Sequence, residues 1–264
     1  MSVLARNNVR VSGRGTTPLV FAHGYGCDQN MWRLVAPAFE DRYKIVLFDH
    51  VGSGQSDLSA YDPSKYSSLQ GYADDILEIC EELDLHHGIF VGHSVSAMIG
   101  VLAAIKEPDR FDRLILVGPS ARYINDGDYV GGFSEEEIQE LLAFQDANYL
   151  GWSRNMAPAI MGNPDRPELG AELTNSFCRT DPDVARQFAA VTFLSDNRDD
   201  LPRVEARTLV LQSREDVIAP LPVGDYVQRH LPDSRMVILD AAGHCPHLSA
   251  PEQTIAAMEA FLRE

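Results

Sequence analysis

The chain has 264 residues, 45% of them hydrophobic and 23% charged, the balance of an ordinary folded domain rather than a disordered or fibrous chain. Its formal net charge of −17, from 39 acidic against 22 basic side chains, repels phosphate backbones and anionic lipid surfaces and disfavours a highly anionic substrate. Nucleic acid and membrane are therefore not expected as partners, and a small neutral or weakly polar ligand fits the charge better.

The first residues, Met1 to Asn8, hold no apolar export segment, and no run approaches the ~18 apolar residues that span a bilayer. Cys27, Cys80, Cys178 and Cys245 show no CxxC spacing, so neither a zinc ribbon nor a disulfide framework is expected. A reducing cytoplasm is the simplest reading.

From the N-terminus onward, short apolar runs alternate with longer amphipathic stretches, the pattern of βαβ units around a buried, mostly parallel sheet. Thr17–Ala22, Tyr43–Phe48 and Gly88–Val91 read as the first strands. Tyr72–Leu83 places Ile76, Ile79, Cys80 and Leu83 on one face and reads as a covering helix. Ala97–Ile105, small and apolar all round, reads as a helix buried against the sheet, and Pro108 stops it. A strand over Arg113–Val117 follows. From about Ala121 to Asp200 the strand pattern disappears: Ser134 caps an acid-headed helix, and Pro158, Pro164, Pro167 and Pro182 divide the segment into short helices. Strands resume at Thr208–Leu211 and Ser234–Leu239. The expected organisation is a core made of residues 1–120 and 201–264, with a helical cap over 121–200 inserted between two parallel strands.

Chemistry concentrates at four places. Phe90-Val-Gly92-His-Ser94-Val-Ser96 runs from a strand straight into a helix, the setting of a nucleophile elbow, in which a strained turn needs small flanking residues and lifts the serine hydroxyl clear of the sheet. Ser96 stands where the G-x-S-x-G pattern has its last glycine. A strand-to-helix turn with an N-cap serine is the plainer alternative. A serine nucleophile needs a base held by an acid, in the chain order serine, acid, histidine. Asp216 and His244 satisfy that order, each just past the carboxyl end of a strand, where open α/β sheets place their sites. Glu215 is the alternative acid. His247 reads as a structural neighbour rather than a metal ligand, and Cys245 as a packed thiol.

The loop His23-Gly24-Tyr25-Gly26 permits close backbone approach, and its Tyr25 N–H, with the Val95 N–H, is placed to receive a developing oxyanion. Asp49-His-Val-Gly52-Ser-Gly54-Gln-Ser56 lacks the third glycine of a dinucleotide loop and reads as a rigid turn. No cofactor and no metal is expected.

Together, His-Gly-Tyr-Gly at 23–26, the Asp49-to-Ser56 turn, Gly-His-Ser-Val-Ser at 92–96, Phe193-Leu-Ser-Asp-Asn-Arg198 and Gly-His-Cys-Pro-His at 243–247 resemble the RsbQ branch of the α/β hydrolases. That branch includes the bacterial stress regulator RsbQ and, more distantly, the plant karrikin and strigolactone receptors. The resemblance covers essentially the whole chain. It implies an α/β-hydrolase fold with a four-helix cap over a hydrophobic pocket, and slow hydrolysis of small esters or butenolide-type lactones. The matching pocket positions are Tyr25, Tyr123, Phe133, Trp152, Phe177, Phe193 and Val217. It also implies the alternative of a ligand-responsive regulator, for which the sequence names no protein partner. A C–C hydrolase or cofactor-free haloperoxidase is a further outcome on the same fold, because fold does not fix function.

Overall fold

A computed structural model describes residues 2–264. Among the described residues seven strands form one sheet: β1 (Arg10–Ser12), β2 (Pro18–Ala22), β3 (Lys44–Leu47), β4 (Gly88–His93), β5 (Phe111–Val117), β6 (Arg207–Glu215) and β7 (Ser234–Ala242). The spatial order is β1-β3-β2-β4-β5-β6-β7, and every pair is parallel except β1 with β3. β2 and β4 are buried along their whole length, as a parallel sheet covered on both faces requires. The edge strand β1 is exposed throughout and carries no apolar run, which is why the apolar runs do not reveal it.

Helices α1 (Val3–Arg6), α2 (Leu69–Glu82) and α3 (Val95–Lys106) precede β5, while α8 (Leu221–His230), α9 (Pro246–Ser249) and α10 (Pro251–Leu262) close the chain. Between β5 and β6 stand four helices: α4 (Glu135–Ala147), α5 (Tyr149–Met161), α6 (Pro167–Arg179) and α7 (Pro182–Phe193). Their ends follow local chemistry. Ser134 and Glu137 form a reciprocal capping box at the start of α4, Asp181 caps α7, and Gly162 in the left-handed region ends α5. Apolar side chains on the two faces of the sheet make two core clusters, and a third joins α5, α6 and α7 to the loops above the sheet. Among the described residues no helix is long and apolar enough to cross a membrane.

Four imidazoles, those of His23, His50, His93 and His247, are buried at the carboxyl edge of the central strands. Their rings touch in pairs: His23 on His50, and His93 on His247, with centroids 4.7 and 4.5 Å apart. Burial pushes all four pKa values down, that of His247 to about 3. The rings therefore stay neutral in the folded protein across the ordinary pH range, whereas in the unfolded chain they take up protons near pH ~6.5. Stability is fully present above that value and is lost as pH falls from ~6.5 toward the folded values, at up to about 1.4 kcal/mol per histidine per pH unit. The urea midpoint at pH 5.5 is accordingly expected to lie well below that at pH 7.5. Equal midpoints would show that these histidines do not remain neutral in the native state.

Candidate active site

Ser94 occupies the turn between β4 and α3 with φ +56° and ψ −123°, a region that non-glycine residues rarely adopt. The turn is tight because β4 and α3 pack directly on each other: a Cβ added at Gly92 would lie 2.4 Å from the Ser96 carbonyl oxygen. Ser94 N–H is anchored to the Val117 carbonyl of β5 at 2.8 Å, so the strained residue is held from the sheet side.

His244 follows β7 through Gly243, whose φ is +86° and where a Cβ would lie 1.8 Å from the Met161 carbonyl oxygen. Only glycine fits there. Its ring reaches Ser94 Oγ through Nε2 at 2.7 Å and Asp216 Oδ2 through Nδ1 at 2.7 Å. The carboxylate accepts from Nδ1–H, which leaves the Nε2 lone pair to accept the Ser94 hydroxyl proton. All three residues are buried.

Asp216 is itself fixed. Its Oδ1 accepts from the backbone N–H groups of Ile218 and Ala219 at 2.8 and 3.0 Å, so Oδ2 is presented to the imidazole. Glu215 is exposed at the end of β6 and is not the acid in contact with His244. Among the described residues, neither Tyr25 N–H nor Val95 N–H is bonded to a protein acceptor. The loop bearing Tyr25 crowds the elbow, since a Cβ at Gly24 would sit 3.3 Å from Ser94 Cβ. A hydroxyl, an imidazole and a carboxylate in series, beside two uncommitted amides, can carry nucleophilic acyl transfer.

Ser94 and His244 open on a narrow apolar cavity of about 30 Å³, against the roughly 10–15 Å³ that one water needs. Of the seven expected wall residues, Tyr25, Tyr123, Phe177 and Phe193 line it. The other three do not. Val217 is 59% exposed, because the turn that commits Asp216 Oδ1 to the amides of Ile218 and Ala219 points the intervening side chain outward, and Ile218 lines the cavity instead. Trp152 lies one layer out, stacked on Phe177 at 5.3 Å between ring centroids, and Phe133 joins it in a separate surface groove between α4 and α5. Cys27, Ile160, Leu173 and Thr192 also line it, which the sequence did not indicate. Ile160 and Leu173 carry only the general signal of apolar positions on helices, which does not distinguish a cavity wall from core.

The Cys245 thiol is pushed up by burial and belongs to the wall, as does His93. With His247 these two bring three ligand atoms within 4.8 Å of one another. A closed structural zinc site takes four ligands at about 2.0–2.3 Å, so this group is incomplete as such a centre. His247 instead packs its ring on Trp32 at 4.5 Å. The turn from Asp49 to Ser56 is rigid for a visible reason: Asp49 accepts from Gln29 N–H, Asn8 Nδ2 and Gln55 N–H, and a Cβ at Gly54 would lie 2.4 Å from its carboxylate. A surface hollow of about 760 Å³ between α2, α3 and the end of α7, far larger than the cavity at Ser94, includes none of Ser94, Asp216 and His244. Size alone does not make it the site.

Comparison with known proteins places the chain in a family. Strigolactone esterase D14 of Arabidopsis thaliana is 40% identical over 253 residues, covering 96% of this chain and 94% of that protein. Karrikin insensitive 2 receptor CA of Petunia hybrida is 38% identical over 250 residues, covering 94% and 93%. A hydrolase from Oleispira antarctica superposes with a TM-score of 0.97 at 41% identity, covering 99% of this chain and 96% of the other. Residues 17–251 match the alpha/beta hydrolase fold family, and with the parallel sheet, the elbow and these relatives, the chain belongs to that family and is homologous to the plant karrikin and strigolactone receptors.

Proposed function

We propose that the protein is a serine hydrolase that cleaves a small, largely apolar ester or lactone through an acyl-enzyme on Ser94. The observation that carries this reading is the series of two 2.7 Å hydrogen bonds from Ser94 through His244 to Asp216, facing a buried apolar cavity. Ser94 Oγ attacks the acyl carbon while His244 Nε2 takes its proton, and Asp216 stabilises the imidazolium through Nδ1–H. The Tyr25 and Val95 amides receive the oxyanion. Collapse expels the alcohol or enol oxygen, which takes the proton from His244; in a lactone the leaving oxygen stays tethered to the acyl group. Water, deprotonated by His244, then releases the acid and restores Ser94.

In this reading residues 121–200 act as a cap whose inner face selects the acyl group, and a neutral substrate is favoured because the cavity has few polar anchors. Carboxylesterase activity on short acyl chains is the minimal assay. A ligand-responsive regulator of the RsbQ type with slow turnover is a second reading. Two observations favour it: the similarity to plant receptors, and a cavity too narrow for a drug-sized ligand unless the cap helices move.

The reading is tested first by chemistry at Ser94. A fluorophosphonate is expected to label that serine, and Ser94→Ala to reduce ester hydrolysis by at least about 10³-fold; because the members of such a series act as a unit, adding His244→Ala to Ser94→Ala should cost little more. Label on another residue, or additive losses, would refute it. The second test concerns the cap: Phe193→Ala is expected to shift preference toward longer acyl chains while Ser94 still takes the probe. An unchanged chain-length ranking in a folded variant would remove Phe193 from the selective wall.

A further inference from the structure

The fifth position of the elbow motif, Ser96, holds a serine where the general pattern has glycine, and its hydroxyl is fully buried. Its one proton goes to the His23 carbonyl at 2.5 Å. The contact of the same oxygen with His50 Nε2 at 2.8 Å is therefore a bond in which the ring N–H donates and Ser96 accepts. His50 Nδ1 has no partner among the described residues, which agrees with a neutral ring protonated on Nε2. Two further bonds close the arrangement. His50 N–H donates to His23 Nε2 at 3.1 Å, and His23 Nδ1–H donates to the Gly24 carbonyl at 2.8 Å. Phe48, Tyr72 and Phe188 press their rings against His50 and fix its plane.

This ring of hydrogen bonds ties three segments that are distant in sequence: the first turn of α3, the loop after β2 and the loop after β3. Its members stand next to both amides assigned to the oxyanion. Val95 directly precedes Ser96, and Tyr25 directly follows Gly24. Two donors serve one oxygen only when each lies about 2.7–3.1 Å from it, so their mutual spacing must be held to a few tenths of an ångström. A glycine at position 96 would leave the loop packed against the elbow but not bonded to it.

We propose that Ser96 and His50 are positioning residues that hold the Tyr25 amide at its working distance from the Val95 amide. The inference rests on the serine-hydrolase reading and extends it to a pair of side chains that never touch substrate. Misplacing a donor costs less than deleting one, which typically lowers the rate 10²–10³-fold. Ser96→Gly is accordingly expected to lower kcat on a short-chain p-nitrophenyl ester about tenfold, with KM changed less than about twofold, because the spacing matters in the transition state and not in the ground state.

The readout that separates positioning from mere packing is an alkylboronate, whose tetrahedral adduct on Ser94 mimics the oxyanion. Its inhibition constant should rise by the same factor as kcat/KM falls. His50→Phe, which removes the Nε2 donor but leaves the Ser96–His23 bond, should give a smaller loss; His50→Gln, which restores an N–H donor, should recover part of it. The Ser96→Gly/His50→Phe double variant should be no slower than Ser96→Gly alone. If Ser96→Gly does not fold, His50→Phe and His50→Gln carry the test. Parental kcat and boronate affinity in a folded variant, equal losses in kcat and substrate affinity, or additive losses in the double variant would overturn the proposal. Failure of the parent protein to react with a fluorophosphonate at Ser94 would instead remove the hydrolase reading and this inference with it, so the two failures are distinguishable.

Discussion

The backbone at Ser94 carries the constraint on which the site depends. A serine held at φ +56° costs on the order of 1–3 kcal/mol, and it persists only where its surroundings leave no alternative. Here β4 is bonded in parallel to β2 and β5, Ser94 N–H is tied to Val117, and α3 leaves the turn buried on every side. Gly92 is obligatory because the Ser96 carbonyl lies where its Cβ would be. The geometry that strains the turn also lifts the hydroxyl toward His244 and leaves the Val95 amide without a bonded acceptor among the described residues.

His244 is positioned from above as well as from below. His244 N–H donates to the Ile160 carbonyl at the end of α5, a Cβ at Gly162 would lie 2.9 Å from Gly243, and one at Gly243 would run into the Met161 carbonyl. Tyr25 makes a second junction. Its ring contacts Trp152, Phe177, Phe188 and Phe193, and its hydroxyl accepts from Gln145 on α4. The helices between β5 and β6 are thus bonded both to the loop of His244 and to the loop of Tyr25. A ligand that spreads those helices acts on the same loops that carry the chemistry, which gives the regulatory reading a physical route.

Much of this was legible from residue order alone. Six of the seven strands announce themselves as short apolar runs, most fully β2 and β4, which are buried on both faces; even β7 at the far edge shows Met236–Leu239, whereas β1 lies exposed and gives no such signal. Ser94, Asp216 and His244 could be named because each sits at a strand end with a distinctive neighbour, and the structure brings the three together. The cavity wall was less legible. Whether an aromatic faces a cavity or packs one layer behind it depends on helix rotation and local turns: Trp152 and Phe177 stack on each other, yet only Phe177 reaches the cavity. Val217 and Ile218 are indistinguishable as apolar residues, and a side-chain-to-backbone bond at Asp216 decides which one turns inward. The network joining Ser96, His50 and His23 spans segments 23, 50 and 96, and no local pattern reveals such a closure.

The central claim is that bond cleavage proceeds through an ester to Ser94, and the most direct measurement is rapid-quench mass spectrometry with p-nitrophenyl acetate. The account predicts a burst of p-nitrophenol close to one equivalent per chain, with acetyl mass accumulating on the peptide that contains Ser94 and then decaying as product acid appears. Hydrolysis at the parental rate with no acyl adduct at any time, or an adduct confined to Cys27, Cys245 or another residue, would contradict it.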